Sequence, residues 1–262
     1  MRQTLVLGRL FGVRIGVHVS WLAVYAFVTY ALTRALAALP PAQAWLCGAV
    51  GSLALFASVL AHELAHALVA RRFGVRTDGI TLFLLGGVAT LAEEPRTPRA
   101  DALIALAGPA LSGILAVLAF GLQIAVDRAV PGPAGDAFAL LATYIFLANA
   151  VLAVFNLLPA YPMDGGRVLR ALLWHRRVRA HRPAATFLAG RDAATAAAAR
   201  VGVVFAIGFV AAGVLAAAAT RDFVYGWYAV LGAFLLRQSW VQATDAGAAA
   251  RGAGVAEIGA AA

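Results

Sequence analysis

Two histidines and a glutamate within an apolar stretch are the residues of this chain best suited to chemistry. The segment Ala61–His66 contains a His-Glu-x-x-His pattern, in which His62 and His66 are four residues apart. Because an α-helix has about 3.6 residues per turn, both imidazoles lie on one helix face. Two such nitrogens can bind zinc, and Glu63 can take a proton from a water molecule. The pattern therefore predicts a zinc site with a general base beside it.

The surroundings of this pattern indicate a membrane. Between positions 44 and 70 the other polar side chains are Cys47, Ser52 and Ser58. A charged side chain at the centre of a membrane helix costs about 2.5–3.5 kcal/mol on insertion scales, so an ionisable group found there indicates function. The whole chain is 63% hydrophobic and 13% charged, whereas a soluble domain is about 25% charged. We therefore expect a membrane protein with room for about six spans.

The sequence predicts an all-α polytopic membrane protein with a small membrane-associated β-sheet or hairpin. These elements must position the His-Glu-x-x-His motif. The six expected transmembrane helices lie roughly at 17–39, 44–71, 101–126, 137–158, 201–219 and 223–241. Asp78-Gly79 is a turn signal, and the β-favouring residues around it predict a hairpin within 73–92. Leu5–Val19 similarly predicts short strands or an interfacial segment. An open strand edge cannot face lipid. Such a sheet must therefore be covered by protein or must line a cavity.

The distribution of arginine predicts the orientation in the membrane. All 21 basic residues are Arg, and 18 of them fall on the side of the N-terminus if these spans are correct. The opposite side holds Arg34, Arg128 and Arg221. Cytoplasmic loops are enriched in basic residues, so we expect a multi-pass cell-membrane protein with its N-terminus and site opening at the cytoplasmic face. The net charge of +9 does not indicate nucleic acid, because membrane proteins gather Arg at their cytoplasmic face and the chain has no basic stretch interleaved with exposed aromatic residues.

Composition also predicts the domain organisation. Residues 1–242 are expected to form the transmembrane domain, and the Ala/Gly-rich tail 243–262 is expected to be disordered. The first apolar run is interpreted as a retained span rather than a cleaved signal peptide. Cys47 is the one cysteine, so an intramolecular disulfide is excluded and a packing role is expected.

A catalytic zinc site needs a third protein ligand and an open position for water. Candidates by side-chain type are His18, His175, His181 and Asp164. Asp164 follows an apolar span in a segment broken by Pro159 and Pro162 and loosened by Gly165-Gly166. Irregular backbone at membrane depth is tolerated only around a cavity or inside protein. A carboxylate placed there is a convincing third ligand. The residues alone do not exclude His18, His175 or His181 in that role.

Several motifs in order along the chain resemble those of the site-2 protease family of intramembrane zinc metalloproteases. They are His62-Glu63-Leu64-Ala65-His66, Leu85-Gly86-Gly87-Val88, Gly108-Pro109-x-x-Ser112 and Asn156-x-x-Pro159-x-x-x-x-Asp164-Gly165. About 20 residues follow the last expected span, where many bacterial relatives carry nucleotide-sensing modules. The resemblance therefore implies either a minimal member of the bacterial or archaeal type or a truncated chain.

The resemblance implies a role for each matching residue. His62, His66 and Asp164 would bind one Zn²⁺ per chain, and Glu63 would act as general base. Asn156 would hold the substrate carbonyl or its oxyanion.

The resemblance further implies a substrate strand and a class of substrate. The implied substrate-binding residues are Leu84, Leu85, Gly86, Gly87 and Val88, on which an unwound substrate would pair as an added strand. The implied function is regulated intramembrane proteolysis of membrane-tethered regulators such as anti-sigma factors. The expected partners are thus a transmembrane protein substrate and the lipid bilayer, with no nucleic acid.

Two other functions fit parts of the pattern. A membrane metal transporter could use His62, Glu63, His66 and Asp164 as a transport site, and it would need a water path to both faces. An inactive scaffold could bind transmembrane helices, but it would have no need of a general base. Retention of Glu63 between both histidines therefore favours the protease.

Overall fold

A computed structural model of the protein describes residues 5–83, 86–180, 185–222 and 225–260. The elements in chain order are β1 (Leu5–Leu10), β2 (Val13–Val17), α1 (Ser20–Ala35), α2 (Pro41–Arg72), β3 (Thr77–Phe83), β4 (Gly86–Leu91), α3 (Pro98–Ala129), α4 (Pro133–Asn156), α5 (Asp164–Ala180), α6 (Ala185–Thr220) and α7 (Gly226–Ala260). Helices therefore dominate the described residues, and one small sheet accompanies them, as the sequence predicts.

Four helices of the described residues are long and apolar enough to cross a membrane. They are Pro41–Arg72, Pro98–Ala129, Pro133–Asn156 and Gly190–Thr220. The first expected span coincides with α1, which has 16 residues, fewer than the roughly 20 that the hydrocarbon core requires of an upright helix. The structure thus supports a multi-pass membrane protein by length and composition, with four candidate spans.

The last helix is longer than its expected span. Helix α7 continues to Ala260, beyond the end of the expected span at 241. Alanine has the highest helix propensity of all residues, so an Ala-rich segment attached to a formed helix can extend it.

The chain divides into two compact units. One comprises Met1–Pro95 and Ala107–Val154, and the other comprises Arg96–Leu106 and Phe155–Ala262. The first unit contains the sheet and the motif helix α2. The second contains α5, α6 and α7.

The sheet of the first unit has the order β1-β2-β3-β4. Strand β2 pairs antiparallel with β1 and parallel with β3, and β3 pairs antiparallel with β4. The predicted strands within Leu5–Val19 are therefore confirmed. Phe11 and Gly12 form the turn between β1 and β2, with φ angles of 51° and 86°. Positive φ at both positions is typical of a tight hairpin turn.

The second hairpin turns at a different place from the one predicted. Asp78 and Gly79 lie inside β3, where the pairing with β4 shifts its register. A glycine inside a strand commonly marks such a bulge, because its backbone tolerates the kink and its missing side chain weakens regular pairing. The connection between β3 and β4 falls at 84–85, outside the described residues.

The sheet packs against the C-terminal half of α2. Val13 and Ile15 of β2 are buried with Leu64 and Ala67 of α2 and with Ile80 of β3. Alternate residues of β2 point to this core, as the two-residue period of a strand requires. The cluster fixes the sheet beside the helical turns that carry the His-Glu-x-x-His motif.

The second unit contains the irregular segment 157–163 between α4 and α5. Gly165 and Gly166 were expected to loosen this segment, but they allow it to pack tightly. A Cβ at Gly165 would collide with the carbonyl oxygens of Leu157 and Leu158, and one at Gly166 would lie 2.6 Å from the backbone nitrogen of Tyr161. The two glycines therefore let the first turn of α5 lie directly against the preceding backbone.

Neighbouring helices of this unit also hold the segment. The hydroxyl of Ser239 on α7 donates to the carbonyl of Tyr161. Gly202 on α6 approaches the same residue so closely that a Cβ would lie 2.7 Å from the Tyr161 carbonyl oxygen. The irregular backbone is therefore covered by protein, as a segment at membrane depth requires.

Candidate metal and catalytic site

The histidine pair lies on α2 as the spacing predicts. His62 is 2% exposed and His66 is 5% exposed. Their ring centroids are 4.8 Å apart, with the ring planes at 77°. Glu63 is half-buried on the same turn of the helix. Two imidazoles in van der Waals contact and shielded from solvent are a suitable pair of metal ligands.

Helix α3 approaches this pair closely at a glycine. A Cβ at Gly108 would collide with His66 Nε2 and would lie 2.6 Å from His62 Nε2. Both Nε2 atoms therefore converge on a place where α3 has no side chain. The two Nε2 atoms thus lie close enough together to share one metal ion, and a donor set of imidazole nitrogens is one that zinc favours.

The other ring nitrogen of His62 has a protein partner. His62 Nδ1 lies 2.9 Å from the hydroxyl oxygen of Ser112. Histidines that bind metals commonly engage their second nitrogen in this way, which fixes the ring orientation. The first unit therefore holds two adjacent imidazoles, and the Ser112 contact orients the His62 ring.

Strand β4 passes directly beside Glu63. A Cβ at Gly87 would lie 2.7 Å from Glu63 Cγ and 3.4 Å from a methyl carbon of Val59. The glycine allows this approach because it has no side chain. Strand β4 is also an edge of the described sheet, so its outer backbone groups are available to pair with another strand.

The five expected substrate-strand residues are only partly described. Gly86, Gly87 and Val88 belong to β4, whereas Leu84 and Leu85 lie outside the described residues. Pairing with substrate therefore stays a prediction.

Asn156 and Asp164 flank the irregular segment of the second unit. Asn156 is the last residue of α4, and Asp164 is the first residue of α5. The helix N-terminus favours a negative charge at Asp164. A buried ion pair steadies the start of α5, since Arg170 binds Asp101 through two hydrogen bonds of 2.7 and 2.6 Å.

The remaining candidate histidines have other surroundings. His18 Nδ1 lies 2.8 Å from the hydroxyl of Ser20 at the start of α1. His175 is exposed on α5, and His181 lies outside the described residues. These placements give neither described residue the buried setting of the His62–His66 pair.

A family model decides the classification. The model described as peptidase family M50 matches residues 50–129 and 133–209. The chain belongs to peptidase family M50. The matched residues include the His-Glu-x-x-His motif of α2 and the segment from α4 into α6, so they contain His62, Glu63, His66 and Asp164.

Individual M50 relatives agree with this assignment. Rip3 of Mycobacterium tuberculosis, assigned by name to the zinc metalloproteases, is 43% identical over 180 residues, which are 67% of this chain and 45% of Rip3. Zinc metalloprotease MJ0392 of Methanocaldococcus jannaschii is 40% identical over 125 residues, 48% of this chain and 34% of that protein. The chain thus spans less than half the length of these curated relatives.

A solved structure extends the comparison to the fold. The site-2 protease from Methanocaldococcus jannaschii matches with a TM-score of 0.57 and 27% identity, over 91% of this chain and 94% of that chain. The resemblance found in the sequence is therefore confirmed.

Sequence reasoning missed what Gly108 and Ser112 do. Both belong to the motif Gly108-Pro109-x-x-Ser112, which served only as further support for the family resemblance. No local sequence signal indicated that these two residues contact the histidines. Their spacing of four residues carries a signal, because it places both on one face of α3.

Proposed function

We propose that this M50 protein is an intramembrane zinc endopeptidase that hydrolyses peptide bonds in or near transmembrane segments of membrane-tethered regulators such as anti-sigma factors. The observation that carries the proposal is the buried His62–His66 pair with Glu63 between them, on a helix long and apolar enough to span a membrane. Three ionisable groups on adjacent turns of a membrane helix are costly to insert into the bilayer. Their presence therefore indicates a function.

Zinc would be held by His62, His66 and Asp164. The two imidazoles lie together in the first unit, and the resemblance of the sequence supplies the Asp164 carboxylate as the third ligand. Two histidines with one carboxylate are a ligand set found in zinc hydrolases, in which a fourth position stays open. When bound, zinc supplies a Lewis acid that polarises a carbonyl and activates water near neutral pH.

Glu63 would move the protons of the reaction. It follows a metal ligand directly and is half-buried, so its carboxylate can take a proton from the attacking water and deliver it to the leaving amine. Asn156 would donate a hydrogen bond from its amide to the oxyanion of the substrate, a role worth about 3–4 kcal/mol in a well-studied protease.

The substrate would be presented by β4. An extended peptide can join the open edge of the sheet through main-chain hydrogen bonds, and Gly87 brings this edge to the Glu63 side chain. A transmembrane helix must unwind before it binds in this manner, because its carbonyls are otherwise occupied by its own hydrogen bonds. Leu84, Leu85, Gly86, Gly87 and Val88 are the residues proposed to contact it.

The proposed topology has six spans, an N-terminus in the cytoplasm and a site that opens there. The arginine asymmetry supports this orientation. Residues 20–35 would cross as a short span, with flanking residues or local thinning of the bilayer compensating for its length.

The test is cleavage in proteoliposomes by the purified protein. The probes are fluorescent model transmembrane peptides, with and without helix-breaking residues, and the comparison is wild type against Glu63→Gln. We expect the wild type to cleave peptides that unwind readily, and Glu63→Gln to lose at least about 100-fold in rate while it retains zinc. Cleavage by Glu63→Gln at the wild-type rate would overturn the mechanism.

The same vesicles distinguish the protease from a transporter. Zinc flux into vesicles, measured with an entrapped zinc-sensitive dye, should equal that of protein-free vesicles. Zinc flux that is lost in His62→Ala, in the absence of peptide cleavage, would support transport instead.

A further inference from the structure

Helix α3 carries two residues that face the histidine pair from the same side. Gly108 and Ser112 are one helical turn apart, and Ser112 is 0% exposed. Gly108 lies against the Nε2 atoms of both histidines, while the Ser112 hydroxyl lies 2.9 Å from His62 Nδ1. One face of α3 therefore meets both nitrogens of the His62 ring.

This arrangement determines which nitrogen of His62 can bind a metal. The Nε2 atoms of both rings converge on the space at Gly108, so Nε2 is the atom that faces a shared ion. A neutral imidazole that uses Nε2 as a ligand carries its proton on Nδ1. That Nδ1–H group then donates to the Ser112 oxygen.

The Ser112 contact matters because His62 is buried. A buried N–H group without a partner costs about 1–3 kcal/mol. If Ser112 is removed, the ring can lower this cost by changing its tautomer or by rotating, and either change removes the Nε2 lone pair from the metal position. Hydrogen bonds of this type commonly raise metal affinity by about 10–100-fold.

We propose that Ser112 is a positioning residue that holds His62 in its Nε2-binding tautomer, and that Gly108 lets α3 pack against both rings without a collision at their Nε2 atoms. This inference rests on the proposed zinc site and adds the residues that orient it. The hydroxyl of Ser112 acts through His62 and has no contact with substrate in this role.

The test measures zinc affinity in detergent by competition with a chromogenic chelator. The variants are Ser112→Ala, Ser112→Thr, which keeps the hydroxyl, and Gly108→Ala. The matched control is Ser52→Ala, because Ser52 is also 0% exposed and its hydroxyl bonds to Thr29 and Gly48. Cobalt(II) absorption spectra of the same proteins report the ligand geometry directly.

We expect Ser112→Ala to weaken zinc binding 10–100-fold and to alter the cobalt spectrum. Ser112→Thr and Ser52→Ala should stay within about threefold of wild type, and Gly108→Ala should lose binding because its methyl group would collide with both Nε2 atoms and displace the rings. Equal affinities and spectra for Ser112→Ala and Ser52→Ala would overturn the role of Ser112 while leaving the zinc site intact. A wild type that binds no zinc would overturn the proposed function as well.

A measurement on the wild type tests the tautomer without any variant. Nitrogen NMR of the zinc-loaded protein, labelled at histidine, should show His62 protonated at Nδ1 and bound to metal through Nε2. The signal is assigned by its loss in His62→Gln. A His62 ring protonated at Nε2 would contradict the inference even if Ser112→Ala did not fold.

Discussion

Glu63 has little free space on the side that faces β4, and this makes Gly87 a sensitive position. A methyl group at Gly87 would lie 2.7 Å from Glu63 Cγ, so the carboxylate must move. A displacement of about 1 Å in a catalytic group can cost about 100-fold in rate. We predict that Gly87→Ala lowers the rate of peptide cleavage by about 10–100-fold while zinc content stays unchanged.

Gly121→Ala is the matched control for this substitution. A Cβ at Gly121 meets nothing within 4 Å, so the same chemical change should leave cleavage intact. Rates are measured with the model peptides in proteoliposomes. If the two alanine variants cleave equally fast, β4 does not confine Glu63.

For individual residues, the sequence predicts the site members that are identified by a short local motif. The His-Glu-x-x-His spacing places His62 and His66 together because four residues make about one turn. The partner of His62 is Ser112, 50 residues away, and no periodicity encodes that contact. Such a pair becomes visible only when α2 and α3 are packed.

The start of α3 and the start of α5 are joined by buried charges. Asp101 is 0% exposed and accepts hydrogen bonds from Arg170, and Arg167 Nη2 lies 3.3 Å from the same carboxylate. A charge-paired carboxylate at this depth is costly to replace, because its removal leaves buried positive charge without that partner. The pair therefore steadies the turn that carries Asp164.

We predict that Asp101→Asn lowers the free energy of unfolding by about 3 kcal/mol. The comparison is Asp192→Asn, because the Arg191–Asp192 pair is 22% and 24% exposed and such pairs contribute about 0–1 kcal/mol. Thermal unfolding in detergent measures both. Equal unfolding midpoints for the two variants would show that the Asp101 pair does not stabilise the fold.

Strands and helices differ in how far the sequence predicts them. The termini of α2 follow local signals, since Pro41 opens the helix and Gly74 follows it with a φ of 75°. The strands within Leu5–Val19 also follow from their residues. The parallel pairing of β2 with β3 connects segments separated by α1 and α2, so no local pattern reveals it.

For the whole molecule, the arginine asymmetry gives a prediction that accessibility can test. In a Cys47→Ser background, we place single cysteines at Arg76, after α2, and at Ala134, at the start of α4. Both positions are exposed. A membrane-impermeant maleimide applied to intact cells should label Ala134→Cys, whereas Arg76→Cys should react only after permeabilisation.

Two results would contradict this orientation. Labelling of Arg76→Cys from outside intact cells would place the basic connections on the wrong side. Labelling of both positions from outside would mean that the number of crossings between them is even, which is incompatible with the predicted spans.

Zinc should also stabilise the molecule as a whole, because its proposed ligands are brought together by folding. A ligand that binds only the folded state stabilises it by about 2.7 kcal/mol at 100 times its dissociation constant. We predict that zinc raises the thermal unfolding midpoint of the wild type and that His66→Ala abolishes this rise. His18→Ala is the control, since His18 bonds to Ser20 at the start of α1 and should keep the full response. A zinc-induced rise in His66→Ala as large as in the wild type would mean that the stabilising ion binds elsewhere.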